Sequence, residues 1–309
     1  MTEIEKVFYE RLAIQEEYGG TDKPINRIQP LVSVVTITYQ HAPYIRQCLD
    51  SILMQETDFP YEIIIGEDGS TDGTREICIE YANKYPEKIR LFLRDRKLSH
   101  YTDSRGRSIR FNGHFSRAEA RGKYIALCEG DDYWCNKNKL QLQINYIIEY
   151  NCGICVHPVY KGKIGTELIG YRGGKSKIIP SYLFRIGGRN SFHISSTIII
   201  KESVMYIHQW LLYAPVGDYY LQYLASRKGT ICYLPYKMSV YRTNVPGSWT
   251  KLNTKNSKML YKLFQRHINT IISIIIYDTK KNSIDLFIQL FKYILLYIKY
   301  IYIFIFKNN

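Results

Sequence analysis

The stretch Ile125–Trp134, IALCEGDDYW, decides how the rest of the chain is interpreted. Its first four residues are apolar or small, which is typical of the end of a buried strand. Glu129, Asp131 and Asp132 follow within four positions, and carboxylates this close repel one another unless a cation lies between them. Mg²⁺ and Mn²⁺ prefer oxygen ligands, so the stretch predicts a divalent-metal site that also holds phosphate oxygens. The alternative is an acidic turn that caps a helix beginning near Tyr133, because Asp is a favoured N-cap residue.

Upstream of this stretch the chain alternates between strand-like and helix-like segments. The apolar runs that predict strands are Leu31–Thr38, Tyr61–Gly66, Ile89–Leu93 and Tyr124–Cys128. Helices between them indicate a parallel sheet with right-handed crossovers, and ligands bind such sheets outside the carboxyl ends of the strands. The loop at Tyr39, the acid Asp68 and the pair Asp131 and Asp132 all follow strand ends, so we expect one crevice to collect them.

Length and composition indicate a globular protein. The 309 residues are enough for one large or two modest domains, and 46% hydrophobic with 23% charged residues is an ordinary balance. The seven cysteines form no even, closely spaced framework, which indicates a reducing compartment. Cys152 and Cys155 have the spacing of a redox pair or half a zinc site, but a structural role within a strand is favoured. The acidic, amphipathic N-terminus lacks the pattern of a signal peptide.

The C-terminal segment, residues 251–309, is both basic and apolar. It carries ten Lys and Arg against two acids, which is more than half of the net charge of +14. Lys292 and Lys299 interrupt its apolar run, which therefore falls short of the about 18 residues expected of a spanning helix. The pattern favours a membrane-associating helix that lies in the interface, and the alternative is a core or dimerisation helix. Basic residues mixed with aliphatic ones, without a recognised binding motif, argue against nucleic acid as a partner.

Three segments in this order resemble glycosyltransferase family 2, whose members have the nucleotide-diphosphosugar-binding GT-A fold. They read VSVVTITYQHAPYIRQCLDSIL, EIIIGEDGSTDGT and ARGKYIALCEGDDYW. The resemblance implies an α/β domain whose mostly parallel central sheet is flanked by helices and followed by a C-terminal helical extension. We expect an N-terminal helix (Glu3–Glu17) and linker over residues 1–29, a GT-A domain over 30–250 with a donor-binding half (30–150) and an acceptor-binding half (151–250), and the tail over 251–309.

The resemblance implies the donor side of the site residue by residue. Its donor-binding residues are Thr38, Tyr39, Glu67, Asp68 and Asp131, and Asp132 is the ligand of a divalent metal, Mn²⁺ or Mg²⁺, in a DXD-like motif. Tyr39 would pack against the nucleobase, Asp68 would accept a hydrogen bond from base or ribose, and Asp131 would contact ribose. The metal would offset the charge of the leaving diphosphate. For Glu67 the alternative is to support the turn without touching the donor.

A weaker resemblance continues through FHISSTIII (192–200), VGDYYLQYLA (216–225) and YLPYKMSVYR (233–242). It implies that Asp218 is the general base, since inverting transfer needs a carboxylate beside the acceptor hydroxyl. The alternative for Asp218 is an N-cap for a helix over Tyr219–Ser226, and both roles can hold at once.

Three further residues are candidates for acceptor contacts or for a lid over the donor: His193, Arg242 and Trp249. Many relatives have a His two residues after the Arg of the YR element, where it can help to hold metal or diphosphate. This chain has Asn244 there, so the resemblance supplies no third protein ligand for the metal, and water can fill the position.

A basic loop lies between the third strand and the helix that follows it. Its cations are Arg94, Arg96, Lys97, Arg105, Arg107 and Arg110. The loop can meet the diphosphate or an anionic acceptor, and a solvated face is the alternative.

The function predicted from these features is sugar transfer by a metal-dependent, inverting enzyme of the hexosyltransferase type. The donor is a nucleotide diphosphosugar, UDP-linked, and the acceptor is a hydroxyl of a growing bacterial surface glycan or a lipid-linked acceptor. We expect the protein in the cytoplasm, peripheral on the inner face of the cell membrane. One alternative, a nucleotidyltransferase, would need a Lys/Arg-rich loop directly after the first strand, and Tyr39–Tyr44 offers none. The other is a non-catalytic membrane-bound scaffold that keeps the fold.

Overall fold

The computed structural model describes residues 1–170, 173–180, 192–206, 209–215, 217–243, 245–246 and 257–277, and residues 288, 291, 294, 295 and 298. Trp249, Asn244, Lys292 and Lys299 lie outside the described residues, so the lid, the substituted His position and the interfacial helix stay predictions. Within the ranges given, no helix is both long and apolar enough to cross a membrane.

The helices and strands are numbered in chain order over the described residues. The helices are α1 (Glu3–Ala13), α2 (Ala42–Leu53), α3 (Thr74–Lys84), α4 (Arg96–Ser99), α5 (Asn112–Ala118), α6 (Lys139–Tyr150), α7 (Gln209–Leu212), α8 (Gly217–Ser226) and α9 (Ser257–Tyr277), with short 3₁₀ turns at Pro24–Arg27, Ile194–Ser196 and Lys201–Ser203. The strands are β1 (Val32–Thr38), β2 (Tyr61–Glu67), β3 (Ile89–Leu93), β4 (His100–Thr102), β5 (Ser108–Arg110), β6 (Tyr124–Leu127), β7 (Tyr133–Trp134), β8 (Ile154–Val156), β9 (Val159–Lys161), β10 (Leu168–Ile169), β11 (Lys177–Ile179), β12 (Ile198–Ile200), β13 (Ile231–Tyr233) and β14 (Ser239–Tyr241).

The main sheet has eight strands in the order β11-β13-β8-β12-β6-β1-β2-β3. β1 runs parallel to both of its neighbours, β2 and β6, and β3 extends the parallel part beyond β2. β12 runs antiparallel to β6 and β8, which makes the sheet mixed. A smaller sheet has the order β10-β9-β14-β7, and β4 and β5 form a separate hairpin. The predicted α/β architecture, a mostly parallel central sheet with flanking helices, is confirmed.

The central strand β1 is buried on both faces because helices cover both sides of the sheet. Val35 packs in a cluster with Ile125 and with residues of α8 and α9, whereas Val34 packs on the opposite face with residues of α2 and α6. A strand in this position has no solvent-facing side, and this explains why its sequence is a continuous β-branched run rather than an alternating one.

Two predicted helix boundaries differ from the structure. The first helix, expected to reach Glu17, ends at Ala13, and the Glu17 carboxylate accepts a hydrogen bond from Arg90 Nε at 2.8 Å. The helix expected over Tyr219–Ser226 begins at Gly217, so the N-cap role for Asp218 is wrong. Asp218 lies in the first helical turn, where the helix dipole favours a negative charge.

The cysteines follow a different pairing from the one their spacing indicates. Cys152 forms a disulfide with Cys232, 80 residues away, at an S–S distance of 2.18 Å. Cys155 is free and buried in β8, so the expectation of a chain without disulfides is wrong for one pair, while the structural role of this segment is confirmed. The bond joins the start of β8 to the neighbouring strand β13.

A buried ionic network holds the amino-terminal edge of the sheet, opposite the carboxyl ends of the strands. The Glu62 carboxylate is fully buried and accepts from Ser33 Oγ at 2.6 Å and from the Arg121 amide at 2.8 Å. Its second oxygen lies 2.7 Å from Arg121 Nη2 and 3.5 Å from Arg90 Nη1, and Arg90 also binds Glu17. One carboxylate therefore connects β1, β2, β3 and the segment before β6.

Substitution of Glu62 tests how much this network contributes to the stability of the fold. Glu62→Ala leaves the buried Arg90 and the partly exposed Arg121 without their shared partner, and we expect the free energy of unfolding to fall by about 3–5 kcal/mol. Urea denaturation measures the change. The matched control is Glu80→Ala, which removes a surface carboxylate that lies 2.6 Å from Arg46 and should alter stability far less. Equal losses in the two variants would contradict this account of the network.

Candidate active site

The loop after β1 is bonded to the loop after β2. The Asp68 amide donates to the Thr38 carbonyl at 3.0 Å, and the Gln40 amide donates to Ser70 Oγ at 2.9 Å. Gln40 has a φ of 56°, a left-handed conformation that is uncommon for residues other than Gly. Its side-chain carbonyl accepts from the Thr71 amide at 2.9 Å, which holds it in that conformation. The two loops therefore form one unit.

The acidic turn after β6 packs against the same unit from the other side of β1. The Gly130 amide donates to the Ile37 carbonyl at 3.0 Å, and a Cβ at position 130 would lie 2.6 Å from Thr38 Oγ1, so only Gly fits. Next to it, Asp131 Oδ2 lies 3.9 Å from His41 Nε2. Burial lowers the pKa of His41, and the nearby Asp131 charge opposes that shift. The turns after β1, β2 and β6 thus lie side by side, as the parallel order requires.

Asp68 is surrounded by donors from the basic loop. Its carboxylate accepts from the Ser99 hydroxyl, and its Oδ2 lies 3.0 Å from His100 Nε2 and 3.2 Å from Arg96 Nη1. The Arg96 guanidinium carbon lies 3.6 Å from the centroid of the Tyr39 ring. A nucleobase that approaches Tyr39 therefore meets the Arg96 guanidinium, which can stack on a base as it stacks on the ring.

Glu67 is fully buried, and both of its oxygens are engaged. Oε1 accepts from the Ser70 amide at 2.6 Å and Oε2 from Arg75 Nε at 2.6 Å. These bonds fix the turn that presents Asp68, which favours the supporting role over direct contact with a donor.

Asp132 has one carboxylate oxygen that is satisfied and one that is not. Oδ1 accepts from the Arg242 amide at 2.9 Å, while Oδ2 is buried and finds no hydrogen-bond partner among the described residues. His193 Nδ1 lies 3.6 Å from Oδ2, but this nitrogen already accepts from the Ser195 amide. Burial raises the pKa of Asp132 well above its usual value, and the Asp131 charge adds to the shift.

An unpaired buried carboxylate oxygen fits a hard cation, because a bound metal would satisfy the oxygen and offset its charge. In the described part of the chain no group of three or more His, Cys, Asp or Glu residues gathers around such an ion. Asp132 is therefore the protein ligand that the geometry offers, and phosphate oxygens and water would have to complete the coordination.

Arg242 and His193 form the wall beside Asp132. The Arg242 guanidinium donates to the Asp131 carbonyl at 2.5 Å and lies over the Tyr133 ring, 4.6 Å from its centroid. The His193 ring stacks on Tyr241 with centroids 4.2 Å apart. Burial lowers the pKa of His193 to about 3, so the imidazole is neutral at physiological pH. Both residues thus shape the acidic turn from the β14 side.

Asp218 shares a small cavity of about 40 Å³ with Glu129 and Arg117. Burial raises the pKa of Asp218 to about 6, and the Arg117 charge opposes this shift. Burial and the neighbouring Asp218 raise the pKa of Glu129 well above its usual value. The cavity exceeds the about 10–15 Å³ that one water needs, so it has room for a water or a hydroxyl group beside these carboxylates.

Several cations of the site were missed by sequence reasoning. Arg96 belongs to the basic loop but contacts Asp68, and Arg94 of the same loop is buried, with Nε donating to Asn112 at 2.8 Å. The solvated-face interpretation is therefore wrong for these two arginines. No sequence pattern indicated that Arg117 lies beside Asp218, because the two residues are about a hundred positions apart in the chain.

Comparison with known proteins finds one matching family profile and several relatives of this chain. The profile of Glycosyl transferase family 2 matches residues 33–208, more than half of the chain. An uncharacterized protein of Mycobacterium bovis is 33% identical over 234 residues, which are 74% of this chain and 63% of that protein. The putative teichuronic acid biosynthesis glycosyltransferase TuaG of Bacillus subtilis is 35% identical over 124 residues, 40% of this chain and 44% of TuaG. The chain thus spans less than two thirds of either relative.

Comparison with solved structures supports the architecture. S. aureus TarS 1-349 in complex with UDP-GlcNAc superposes with a TM-score of 0.58 over 79% of this chain and 66% of that chain, at 18% identity. At this identity the likeness shows the fold alone, and that fold is GT-A-like. The profile match covers more than half of the chain, and the mixed sheet with acidic turns at its carboxyl edge agrees with it. The chain therefore belongs to glycosyltransferase family 2.

Proposed function

We propose that this glycosyltransferase moves a sugar from a UDP-linked donor to a hydroxyl of a bacterial surface glycan or of a lipid-linked acceptor, with inversion at the anomeric carbon. The observation that carries the proposal is the unpaired, buried Oδ2 of Asp132, next to the turns that present Asp68 and Asp131. A metal-bound diphosphate is the ligand that would satisfy it. The role of TuaG in teichuronic acid biosynthesis and the UDP-GlcNAc bound to TarS support the acceptor and donor classes.

In the proposed reaction Asp218 is the general base. Its carboxylate takes the proton of the acceptor hydroxyl, whose oxygen bonds to the anomeric carbon while the bond from that carbon to the diphosphate oxygen breaks on the opposite face. UDP leaves with the electron pair of the broken bond. A pKa of about 6 suits this task, because Asp218 is ionised at neutral pH yet remains a useful proton acceptor. Arg117 favours the ionised form.

The donor would lie along the carboxyl edge of the sheet. Asp132 would hold Mn²⁺ or Mg²⁺, and such an ion supplies positive charge that stabilises the departing diphosphate. Tyr39, with Arg96 on its ring, would receive the base, and Asp131 would contact ribose. Thr38 and Glu67 would act by holding the turns. Arg242 and His193 would line the acceptor side next to Asp132.

We further propose a cytoplasmic protein that is peripheral on the inner face of the cell membrane. The support is the composition of residues 251–309, which combine ten basic residues with a long apolar run. Because α9 packs into the core, the attachment is assigned to the part of this tail that follows α9, and it would keep the enzyme near a lipid-linked acceptor.

The metal ligand is tested by Asp132→Ala. We expect wild-type protein to release UDP slowly from at least one of a panel of UDP-sugars when Mn²⁺ is present, with water as acceptor, and the variant to release none. Thermal shift measured with UDP and Mn²⁺ should likewise be lost, because ligand binding raises apparent stability by mass action.

The matched control for this test is Asp58→Ala, an exposed aspartate before β2, which should behave as wild type. If the Asp132→Ala protein still shows a Mn²⁺-dependent thermal shift with UDP, Asp132 is not the metal ligand. A wild type that is inert towards every common donor would favour the scaffold alternative.

The general base is tested by the pH dependence. Because protonation of Asp218 removes the base, UDP release should fall on the acid side of about pH 6, by about tenfold for each pH unit. Asp218→Asn should keep the thermal shift with UDP and Mn²⁺ but lose activity about 10²–10⁴-fold at neutral pH. Initial rates across the pH range measure both effects, with Asp58→Asn as the control. Full activity in Asp218→Asn, or an acid limb unchanged by that substitution, would exclude this role.

A further inference from the structure

A second cavity, of about 590 Å³, lies between the β4–β5 hairpin and the helices α7 and α9. We call it the hairpin groove. Its walls are the hairpin, the first two residues of α1, helix α7 with Tyr213, and one face of α9. None of the roles proposed above uses it.

The hairpin groove contains cations that have no acidic partner. Its Asp103 carboxylate is already occupied, since it accepts from Arg107 Nε at 2.7 Å and from the Tyr213 hydroxyl at 3.1 Å. Arg105 and Arg266 also line the groove, and neither guanidinium forms an ion pair within the described ranges. The balance of charge inside the groove therefore favours an anion.

Arg266 on α9 lies close to another cation. Burial and the neighbouring Arg110 charge lower the pKa of Arg266, so a second cation lies near this wall of the groove. An anion between them would relieve the repulsion. Glu3, the acid contributed by α1, lies 3.3 Å from the Tyr101 hydroxyl and is engaged there.

The remaining lining suits a sugar chain. Tyr101, Trp210 and Tyr213 bring aromatic rings to the groove, and rings of this kind have an apolar body with a polar edge. The hydroxyls of Thr270 and Ser273 donate to carbonyls of their own helix, which leaves their lone pairs free to accept from a ligand. Apolar surfaces combined with a few polar groups are typical of specific ligand pockets.

The walls of the groove are continuous with both halves of the active site. The hairpin begins at His100, whose Nε2 lies 3.0 Å from the Asp68 carboxylate. On the other side, the Tyr220 hydroxyl of α8 lies 3.0 Å from His267 Nδ1 of α9, which ties the groove wall to the helix that carries Asp218. A chain seated in the groove thus contacts α9, which packs against the helix that carries the base.

We propose that the hairpin groove binds an acidic stretch of the acceptor glycan, with Arg105 and Arg266 in contact with its phosphate or carboxylate groups. The inference rests on the proposed function, because it names the class of acceptor for the same site. Arg guanidinium groups bind carboxylate and phosphate through paired hydrogen bonds. A concave groove with rings and hydroxyls fits a chain of sugars.

The test measures binding of defined oligomers to the full chain by calorimetry. The probes are a glycerol-phosphate oligomer, an oligogalacturonate and, as the neutral reference, a maltooligosaccharide of equal length. We expect at least one acidic oligomer to bind more tightly than the neutral one and to weaken with added salt. Arg105→Gln and Arg266→Gln should each weaken that binding about tenfold or more, because each removes charged hydrogen bonds.

Arg27→Gln is the matched control, since Arg27 is an exposed arginine that pairs with Asp22 and does not line the groove. It should bind the acidic oligomers as wild type does. Thermal shift with UDP and Mn²⁺ on each variant checks that it is folded. Equal binding of neutral and acidic oligomers, or equal effects of the control and the groove variants, would overturn the proposal.

Two other outcomes are also decisive. Vesicles of phosphatidylglycerol that bind through Arg105 and Arg266, with no binding of the oligomers, would overturn the glycan assignment in favour of a membrane surface. The binding measurement needs no turnover, so its failure is distinct from that of the proposed function. A protein that binds acidic oligomers but releases no UDP from any donor would support the groove and refute the transfer reaction.

Discussion

Two backbone hydrogen bonds at the end of β1 hold the two acidic turns of the site in place. The Thr38 carbonyl accepts from the Asp68 amide on one side, and the Ile37 carbonyl accepts from the Gly130 amide on the other. Because β1 is parallel to both neighbours, these bonds place one acidic turn on each side of a single strand end. Gly130 allows the second approach, since any side chain there would meet Thr38. The chemistry of the site follows from this arrangement.

The same arrangement leaves one buried carboxyl group of the site, Asp132, without a cationic partner among the described residues. Asp68 is compensated by Arg96, and Glu67 is compensated by Arg75. Asp132 has no such cation among the described residues, and burial raises its pKa well above the usual value. A folded protein tolerates an unpaired buried carboxyl group at a site where a bound ligand supplies the missing partner. We interpret this imbalance as the basis of metal and diphosphate binding.

Much of the fold could be predicted because its signals are local. The buried strands are continuous apolar runs. The acids that come directly after these runs in the sequence lie at the carboxyl ends of the strands in the structure. Contacts between distant segments could not be predicted in this way. Arg96 lies 28 residues from Asp68, and the disulfide joins Cys152 to a cysteine 80 residues away, so neither pairing leaves a local pattern. The role of Asp218 was predicted by resemblance alone, and its position in the first turn of α8 required the structure.

The most direct test of the central claim is a crystal structure of the protein grown with UDP and Mn²⁺, with the metal located by its anomalous scattering. The account predicts an anomalous peak at Asp132 Oδ2, the diphosphate against that metal, and the uracil ring at Tyr39. A metal bound elsewhere, or a uridine that leaves the turns of Asp68 and Asp131 empty, would contradict it.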